Sequence, residues 1–394
     1  MSERLLRNCI SIEDLRGAAR RRLPRIVFDF IDGGARDEQT LSDNRRAFNA
    51  WHIMPRVGVD VSQRRLQTTL LGKPMALPLI MAPTGLAGLF WPGGEMLGCR
   101  AATAAGIPYC LSTNSIASIE AVAAAVPDSE RWFQLYPLRD RGLMDDMLRR
   151  AAESGFRTLC FTVDLAIQGR RERDLRNGFT LPLRPDLATL LDLIRRPAWL
   201  YGLARNPVSF GNFAPNAKSG GVSIAQHVAT LFDPSADWSL IAAVRKRWNG
   251  PFVVKGILHP EDARAAVGAG ADAVIVSNHG GRQLDTVPGA CAALPGVVAA
   301  VGGEAEVILD GGVRRGTDML KALALGARAC MIGRPALWGL AAAGQAGVRR
   351  AIEILAAELD EAMTLAGLPD IGDVTPDFVR ARTHYSNPMS STSQ

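Results

Sequence analysis

Eight short apolar runs, separated by segments with helical character, constrain this chain more than any other feature. They fall near residues 78–84, 109–112, 131–136, 158–163, 252–255, 273–277, 306–310 and 329–333. Runs this short, rich in Val, Ile and Leu and bounded by turn residues, read as buried strands. The intervening stretches 93–105, 116–125, 143–154, 260–267 and 317–324 read as helices, with Ser115 placed to cap the second. Eight strand–helix alternations predict an α/β fold, a parallel (β/α)8 TIM barrel spanning about 75–335. A doubly wound open sheet is the runner-up, but no Gly-rich dinucleotide turn follows the first strand. One domain over 1–385 is expected, with residues 1–75 as a largely helical extension closing the barrel's bottom or side. A long insert at about 178–237 follows the fourth strand. Residues 338–370 read as an amphipathic helix, and residues 386–394 as a disordered tail.

A barrel of this kind carries its chemistry on the loops after the strands' C-terminal ends. In order, those ends hold Pro83-Thr84-Gly85, Ser112-Thr113-Asn114, Gln134-Leu135-Tyr136, Thr162-Val163-Asp164, Lys255, Ser277-Asn278-His279, Asp310-Gly311-Gly312 and Gly333-Arg334. Polar residues at one strand end are ordinary loop capping; the same pattern at all eight ends points to a site.

The sixth end is the most specific, running Ser277-Asn278-His279-Gly280-Gly281-Arg282-Gln283-Leu284-Asp285. An imidazole that titrates near neutral pH stands three residues from a permanent cation, a pairing suited to removing a proton from an anionic substrate. Asp310-Gly311-Gly312-Val313-Arg314 and Gly333-Arg334 supply glycine turns and arginines on the seventh and eighth loops, the recurrent phosphate site of such barrels. Lys255 has two readings, a Schiff-base amine or a fixed positive charge beside a flavin ring.

Composition bounds the partners. A net charge of +6, much of it in arginine pairs, suits anionic substrates, phosphate or an anionic membrane surface. No nucleic-acid motif accompanies the charge, so nucleic acid is not expected. The six cysteines lack metal-ligand spacing, and no metal or disulfide framework is expected. Neither a signal peptide nor a membrane-spanning run is read, and the expected location is cytoplasmic.

Together, residues 277–285, Thr162-Val163-Asp164 with Gly169-Arg170-Arg171-Glu172, Phe133-Gln134-Leu135-Tyr136, Leu111-Ser112-Thr113, Asp310–Arg314 and Gly333-Arg334 resemble the FMN-dependent 2-hydroxy-acid dehydrogenases and oxidases. The resemblance covers roughly residues 10–375. Pro83-Thr84-Gly85-Leu86-Ala87-Gly88 and Arg171-Glu172-Arg173-Asp174-Leu175-Arg176-Asn177 bring it nearest to mandelate dehydrogenase-like members. It implies oxidation of a 2-hydroxy acid of L (S) configuration, such as mandelate or lactate, to the 2-keto acid. Electrons would pass from reduced FMN to a quinone or another acceptor; an oxidase making hydrogen peroxide is the alternative.

The resemblance also implies roles. His279 is the base and Asp164 its carboxylate partner. Arg171 and Arg282 hold the substrate carboxylate, and Tyr136 bonds the substrate hydroxyl. Lys255 stabilises reduced flavin, while Gly312, Arg314, Gly333 and Arg334 hold the FMN phosphate. Ser112, Gln134, Thr162 and the backbone of Pro83, Thr84 and Gly85 contact the isoalloxazine, with Ser277 and Asp310 also on the cofactor side. Many members have tyrosine where this chain has Phe30, so Phe30 either turns the pocket toward apolar or aryl substrates or simply packs. Gly85 favours a dehydrogenase over an oxidase. A homotetramer is implied.

Within the insert, apolar and aromatic residues beside Arg195, Arg196 and Arg205 suit an interfacial membrane contact at about 186–205 on the inner face of the cytoplasmic membrane. An active-site lid or an oligomer contact is the other reading.

Overall fold

The structure is a computed structural model that describes residues 2–179, 186–206, 210–213 and 230–382. Eight parallel strands close into a barrel. They are β1 (Leu79–Met81), β2 (Tyr109–Ser112), β3 (Arg131–Leu135), β4 (Thr158–Thr162), β5 (Phe252–Ile257), β6 (Ala273–Val276), β7 (Glu306–Asp310) and β8 (Ala329–Ile332). β8 pairs with β1 through Cys330↔Leu79, Met331↔Ile80 and Ile332↔Met81, which closes the ring.

The strands read as unbroken apolar runs because both faces are covered. Alternate residues split between two cores. Ile80, Cys110, Trp132, Cys160, Val253, Ile275, Ile308 and Met331 fill the barrel interior. Leu79, Leu111, Phe133, Phe161, Val254, Val276 and Leu309 belong to the larger core outside the barrel. A hairpin of Thr68–Leu70 and Lys73–Met75 adds Leu70 and Met75 to the interior cluster. Its Leu71 N–H is held by Glu306 Oε2 at 2.5 Å, at the start of β7, so the hairpin plugs the end opposite the loops.

Several elements differ from the sequence reading. The second helix starts at Ile119, three residues later than expected, with Ser118 as its cap. Ser115 is buried and donates instead to Ala117 O at 2.7 Å, because its loop is drawn into a side-chain network described below. The C-terminal helix begins earlier, at Arg334, ends at Ala366, and breaks at Ala343 and Gly344. The tail 386–394 lies outside the described residues, as does much of the insert. Its described part holds two short helices, Leu187–Ile194 and Pro197–Arg205.

The N-terminal extension does more than close the bottom or side. Helices Arg25–Asp32 and Gln39–Arg46 lie over the opposite, loop-bearing end, fastened to residues 277–289. Asn44 and Asn278 exchange side-chain hydrogen bonds at 2.8 and 2.9 Å. Ala35 N–H donates to Gly281 O at 2.8 Å. Asp285 accepts from the backbone N–H groups of Thr40 (2.8 Å), Asp37 (3.1 Å) and Gln39 (3.3 Å), satisfying orphan donors at a helix start from a distant loop. Asp285→Ala is therefore expected to lower stability by about 1–2 kcal/mol, as for loss of a helix cap. Denaturant unfolding of both proteins checks this; equal midpoints would show that the carboxylate holds nothing.

Candidate active site

The loops after the strands enclose a cavity of about 600 Å³. Every barrel strand contributes to its lining, through Ala82, Ser112, Gln134, Thr162, Lys255, His279, Asp310 and Ile332 among others. Of the residues singled out in the sequence, Phe30, Pro83, Thr84, Gly85, Tyr136, Arg171, Arg282, Gly312, Arg314, Gly333 and Arg334 also line it. Asp164 and Ser277 stand immediately behind the lining, each bonded to a residue that faces the cavity.

His279 is fixed from two sides. Its Nδ1 meets Asp164 Oδ1 at 2.8 Å, and its backbone N–H donates to Ser277 Oγ at 3.0 Å. Its φ of 58° is in the left-handed region, which His tolerates better than most residues and which turns the ring toward the cavity. Nε2 faces Tyr136 Oη at 3.4 Å. Burial works to raise the Asp164 carboxyl, but His279, followed by Lys255, outweighs it and holds the group below its ordinary value. Burial and the Asp164 charge push the Tyr136 phenol up, so Tyr136 remains a donor. The geometry keeps a free imidazole nitrogen beside a phenol, with a carboxylate ready to stabilise a proton arriving on the ring.

Two arginines flank that base. Arg171 pairs with Asp174 at 3.3 Å, and Arg282 donates to Phe30 O at 2.7 Å and Gly33 O at 3.2 Å. Burial depresses both guanidinium pKa values, and in Arg282 neighbouring Arg171 and Arg334 add to it. Guanidinium groups keep their protons, so the depression expresses positive charge that lacks enough negative charge nearby. Phe30 lies against both cations, its ring 5.3 Å from Arg171 and 5.0 Å from Arg282. It also stacks on Phe179 at 4.5 Å. Phe30 therefore forms an apolar wall and a cation–π platform, contacts it makes without a hydroxyl.

A third group lies deeper. Lys255 Nζ is 2.8 Å from Asp310 Oδ2 and donates to Ser277 Oγ at 2.9 Å. Burial alone would lower its pKa, but Asp310 and Asp164 raise it overall. A Schiff-base amine must be neutral to attack, so this lysine is a fixed cation rather than a nucleophile.

Arg314 and Arg334 line the same cavity beside the glycine turns at Gly311–Gly312 and Gly333, the latter at the start of the Arg334–Ala366 helix. Burial and the mutual proximity of the two cations bring Arg314 down to about 9, while burial brings Arg334 to about 10. A Cβ on Gly312 would lie 2.0 Å from Asn44 O, and its φ is 83°. Only glycine lets this turn sit there with its backbone toward the cavity. Positive charge, a glycine turn and a helix N-terminus form an anion cradle.

Sequence reasoning missed part of the wall. Leu165, Phe179, Phe210 and Phe232 line the cavity, the last three from the insert, where no local pattern marks them. Asp174 was legible as a residue three places after Arg171 in a helical turn.

An anion cradle joined to a carboxylate-backed imidazole is the layout of an oxidoreductase barrel that anchors its cofactor by a phosphate. The chain belongs to the FMN-dependent dehydrogenase family, whose model matches residues 19–381. It is 44% identical over 376 residues to an L-lactate dehydrogenase of Caulobacter vibrioides, covering 94% of this chain and 98% of that protein. An L-lactate dehydrogenase of Pseudomonas aeruginosa is 42% identical over 369 residues, covering 92% and 96%. Among solved structures, a monotopic membrane (S)-mandelate dehydrogenase superposes with a TM-score of 0.92 at 40% identity, covering 95% of this chain and 100% of that one. A mandelate oxidase with (S)-2-phenylpropionate gives 0.80 at 41% identity, covering 95% and 98%.

The residues fit FMN. Buried Gln134 Nε2 and Thr162 Oγ1 have no hydrogen-bond partner among the described residues, although buried polar groups rarely go unpaired, and both residues line the cavity. The polar edge of a flavin ring would satisfy them.

The Asp164–His279 pair also predicts how stability responds to acid. Because the folded Asp164 value lies below the ordinary 3.8, its contribution is complete above that value and is lost as pH falls through the folded one. Asp164→Asn should lose less stability than the wild type between about pH 5 and pH 2. Denaturant midpoints across that range check it; parallel profiles would contradict the assignment.

Proposed function

We propose that this FMN-dependent dehydrogenase oxidises an L (S) 2-hydroxy acid to the 2-keto acid, with His279 as the base. The observation carrying the reading is one cavity that holds an imidazole backed by Asp164, two arginines with a single carboxylate between them, and an anion cradle. Arg171 and Arg282 grip the substrate carboxylate and place carbon 2 beside His279. Tyr136 donates to the substrate hydroxyl. His279 Nε2 takes the proton released as carbon 2 is oxidised, and Asp164 stabilises the resulting imidazolium. Bound FMN supplies the two-electron acceptor. Gly312, Arg314, Gly333 and Arg334 hold its phosphate; Ser112, Gln134, Thr162 and the backbone at Pro83, Thr84 and Gly85 hold its ring. Lys255, kept charged by Asp310 and Ser277, answers the negative charge that develops there on reduction. The apolar wall of Phe30, Phe179, Phe210 and Phe232 favours a substrate with a large apolar or aryl group.

Anaerobic mixing with glycolate, lactate and mandelate should bleach the flavin absorbance, most strongly with the substrate that fills the apolar wall. His279→Ala should keep FMN while turnover falls by roughly 10²-fold or more. Retained turnover in that variant would remove His279 from the mechanism. Electrons are expected to reach a quinone or another acceptor, so dye reduction should exceed peroxide formation; the reverse would identify an oxidase.

The insert supports a peripheral membrane contact on the inner face of the cytoplasmic membrane. Leu187, Leu190, Leu191, Ile194 and Tyr201 are exposed on its two helices, while Leu193 and Trp199 are buried against the body. Trp199 Nε1 donates to Leu89 O at 2.8 Å, which sets the face left outward. Arg195, Arg196 and Arg205 add positive charge beside it, as an interfacial segment requires. No helix among the described residues is long and apolar enough to cross a membrane. The protein should sediment with phosphatidylglycerol vesicles, and Leu190→Glu/Leu191→Glu should weaken this by roughly tenfold or more through lost apolar burial. Unchanged sedimentation of the double variant would assign these leucines another role.

A further inference from the structure

Residues 210–213 are a described part of the insert that packs against the barrel loops, and Asn212 is buried there, 1% exposed. Its Oδ1 accepts from Ile119 N–H at 2.9 Å. Its Nδ2 faces Ser115 Oγ at 2.9 Å, Thr113 O at 3.2 Å and Ser112 O at 3.4 Å. An N–H on one side and carbonyl oxygens on the other fix the amide's orientation. Two further bonds clamp the same block: Gly211 N–H to Ile116 O at 3.2 Å, and Arg150 Nη1 to Asn212 O at 3.1 Å. The approach is close enough that a Cβ on Gly211 would lie 2.6 Å from Ser118 N and 2.7 Å from Ile116 O.

The loop held in this way carries one edge of the cavity. Ser112 Oγ and Thr113 N–H point to Gln134 Oε1 at 3.2 and 3.3 Å, and Thr113 Oγ1 donates to Gln134 O at 2.6 Å. These bonds occupy the acceptor end of the Gln134 amide. Its Nε2 is left buried and without a partner among the described residues, in a residue that lines the cavity. If the loop moved, Gln134 would lose the bonds that orient it and the cavity would lose an aimed donor.

We propose that Asn212 is a positioning residue for the cofactor. The insert reaches back through it to set the loop of residues 112–119, and through that loop the direction of the Gln134 amide toward the flavin ring. The inference rests on the FMN reading above. It divides the insert by function: the two exposed helices face outward, while residues 210–213 form part of the cofactor site and place Phe210 in its wall.

Asn212→Asp tests this with little change of shape. It keeps an acceptor for Ile119 N–H but sets a carboxylate oxygen against the Ser112 and Thr113 carbonyls. Gly211→Ala attacks the same contact by steric means, and Asn206→Ala alters an exposed part of the insert as a control. Each protein is purified with FMN, its fold checked by circular dichroism, and its FMN dissociation constant measured by fluorescence titration after the cofactor is removed. Loss of one well-placed hydrogen bond corresponds to roughly a tenfold change in affinity. Asn212→Asp and Gly211→Ala should weaken FMN binding by about that factor and shift the flavin absorption spectrum, with kcat falling more than KM rises. Asn206→Ala should match the wild type.

A folded Asn212→Asp with unchanged FMN affinity and spectrum would overturn the proposal, even if its melting temperature fell. If that variant does not fold, unchanged affinity and spectrum in Gly211→Ala would overturn it equally. Failure of the wild type itself to bind FMN would instead refute the reading on which the inference rests.

Discussion

Arg171, Lys255, Arg282, Arg314 and Arg334 all face one cavity, and removal from water makes each positive charge costly unless something negative answers it. Asp310 answers Lys255 and Asp174 answers Arg171. Among the described residues, Arg282 and Arg334 have only carbonyl oxygens as hydrogen-bond partners, both reaching Gly33 O, and Arg314 bonds Val313 O. The backbone of the N-terminal extension thus acts as a partial counterweight, and the extension belongs to the site as much as to the scaffold. What remains unanswered lies in two places, beside His279 and beside the Arg334 helix, where the proposed function puts a substrate carboxylate and a cofactor phosphate.

The same arrangement explains why the base and the cradle can share one small volume. His279 pairs with Asp164 and Lys255 with Asp310, so the imidazole and the lysine are held by different carboxylates. Asp164 adds to the positive charge on Lys255 only through space, and its direct hydrogen bond stays with His279. Ser277 links the two halves, accepting from the His279 backbone and from Lys255 while donating to Asp310 Oδ2 at 2.7 Å. Its place behind the lining makes it a support for residues that face the cavity.

Much of this was legible in the sequence because the barrel writes itself locally. Each strand is a short apolar run, each reactive residue follows it within a few positions, and the eight-fold rhythm turns isolated polar residues into a ring. Lys255 illustrates the limit: its position at a strand end was readable, but its partner Asp310 lies on the seventh strand, and only that contact decides between an amine and a cation. Ser115 and Ser118 are equally good caps by type, and a side chain from the insert, Asn212, decides between them. Phe210 and Phe232 follow no period, since their place is set by where a long excursion returns. The helices Arg25–Asp32 and Gln39–Arg46 at the barrel mouth escape the sequence reading for a similar reason, because their contacts with residues 277–289 carry no signal in either segment alone.

The contacts that fasten Asn44 to Asn278, and Thr40 to Asp285, join stretches more than 230 positions apart. The barrel seam between β8 and β1 spans a comparable distance, and Trp51–Ile53 pairs with Val379–Ala381 near the far end of the chain. During synthesis the first helices therefore leave the ribosome long before the surface that receives them exists. The cover of the active site is made first and seated late, and until then its apolar faces depend on the surrounding cell to keep them from other partners.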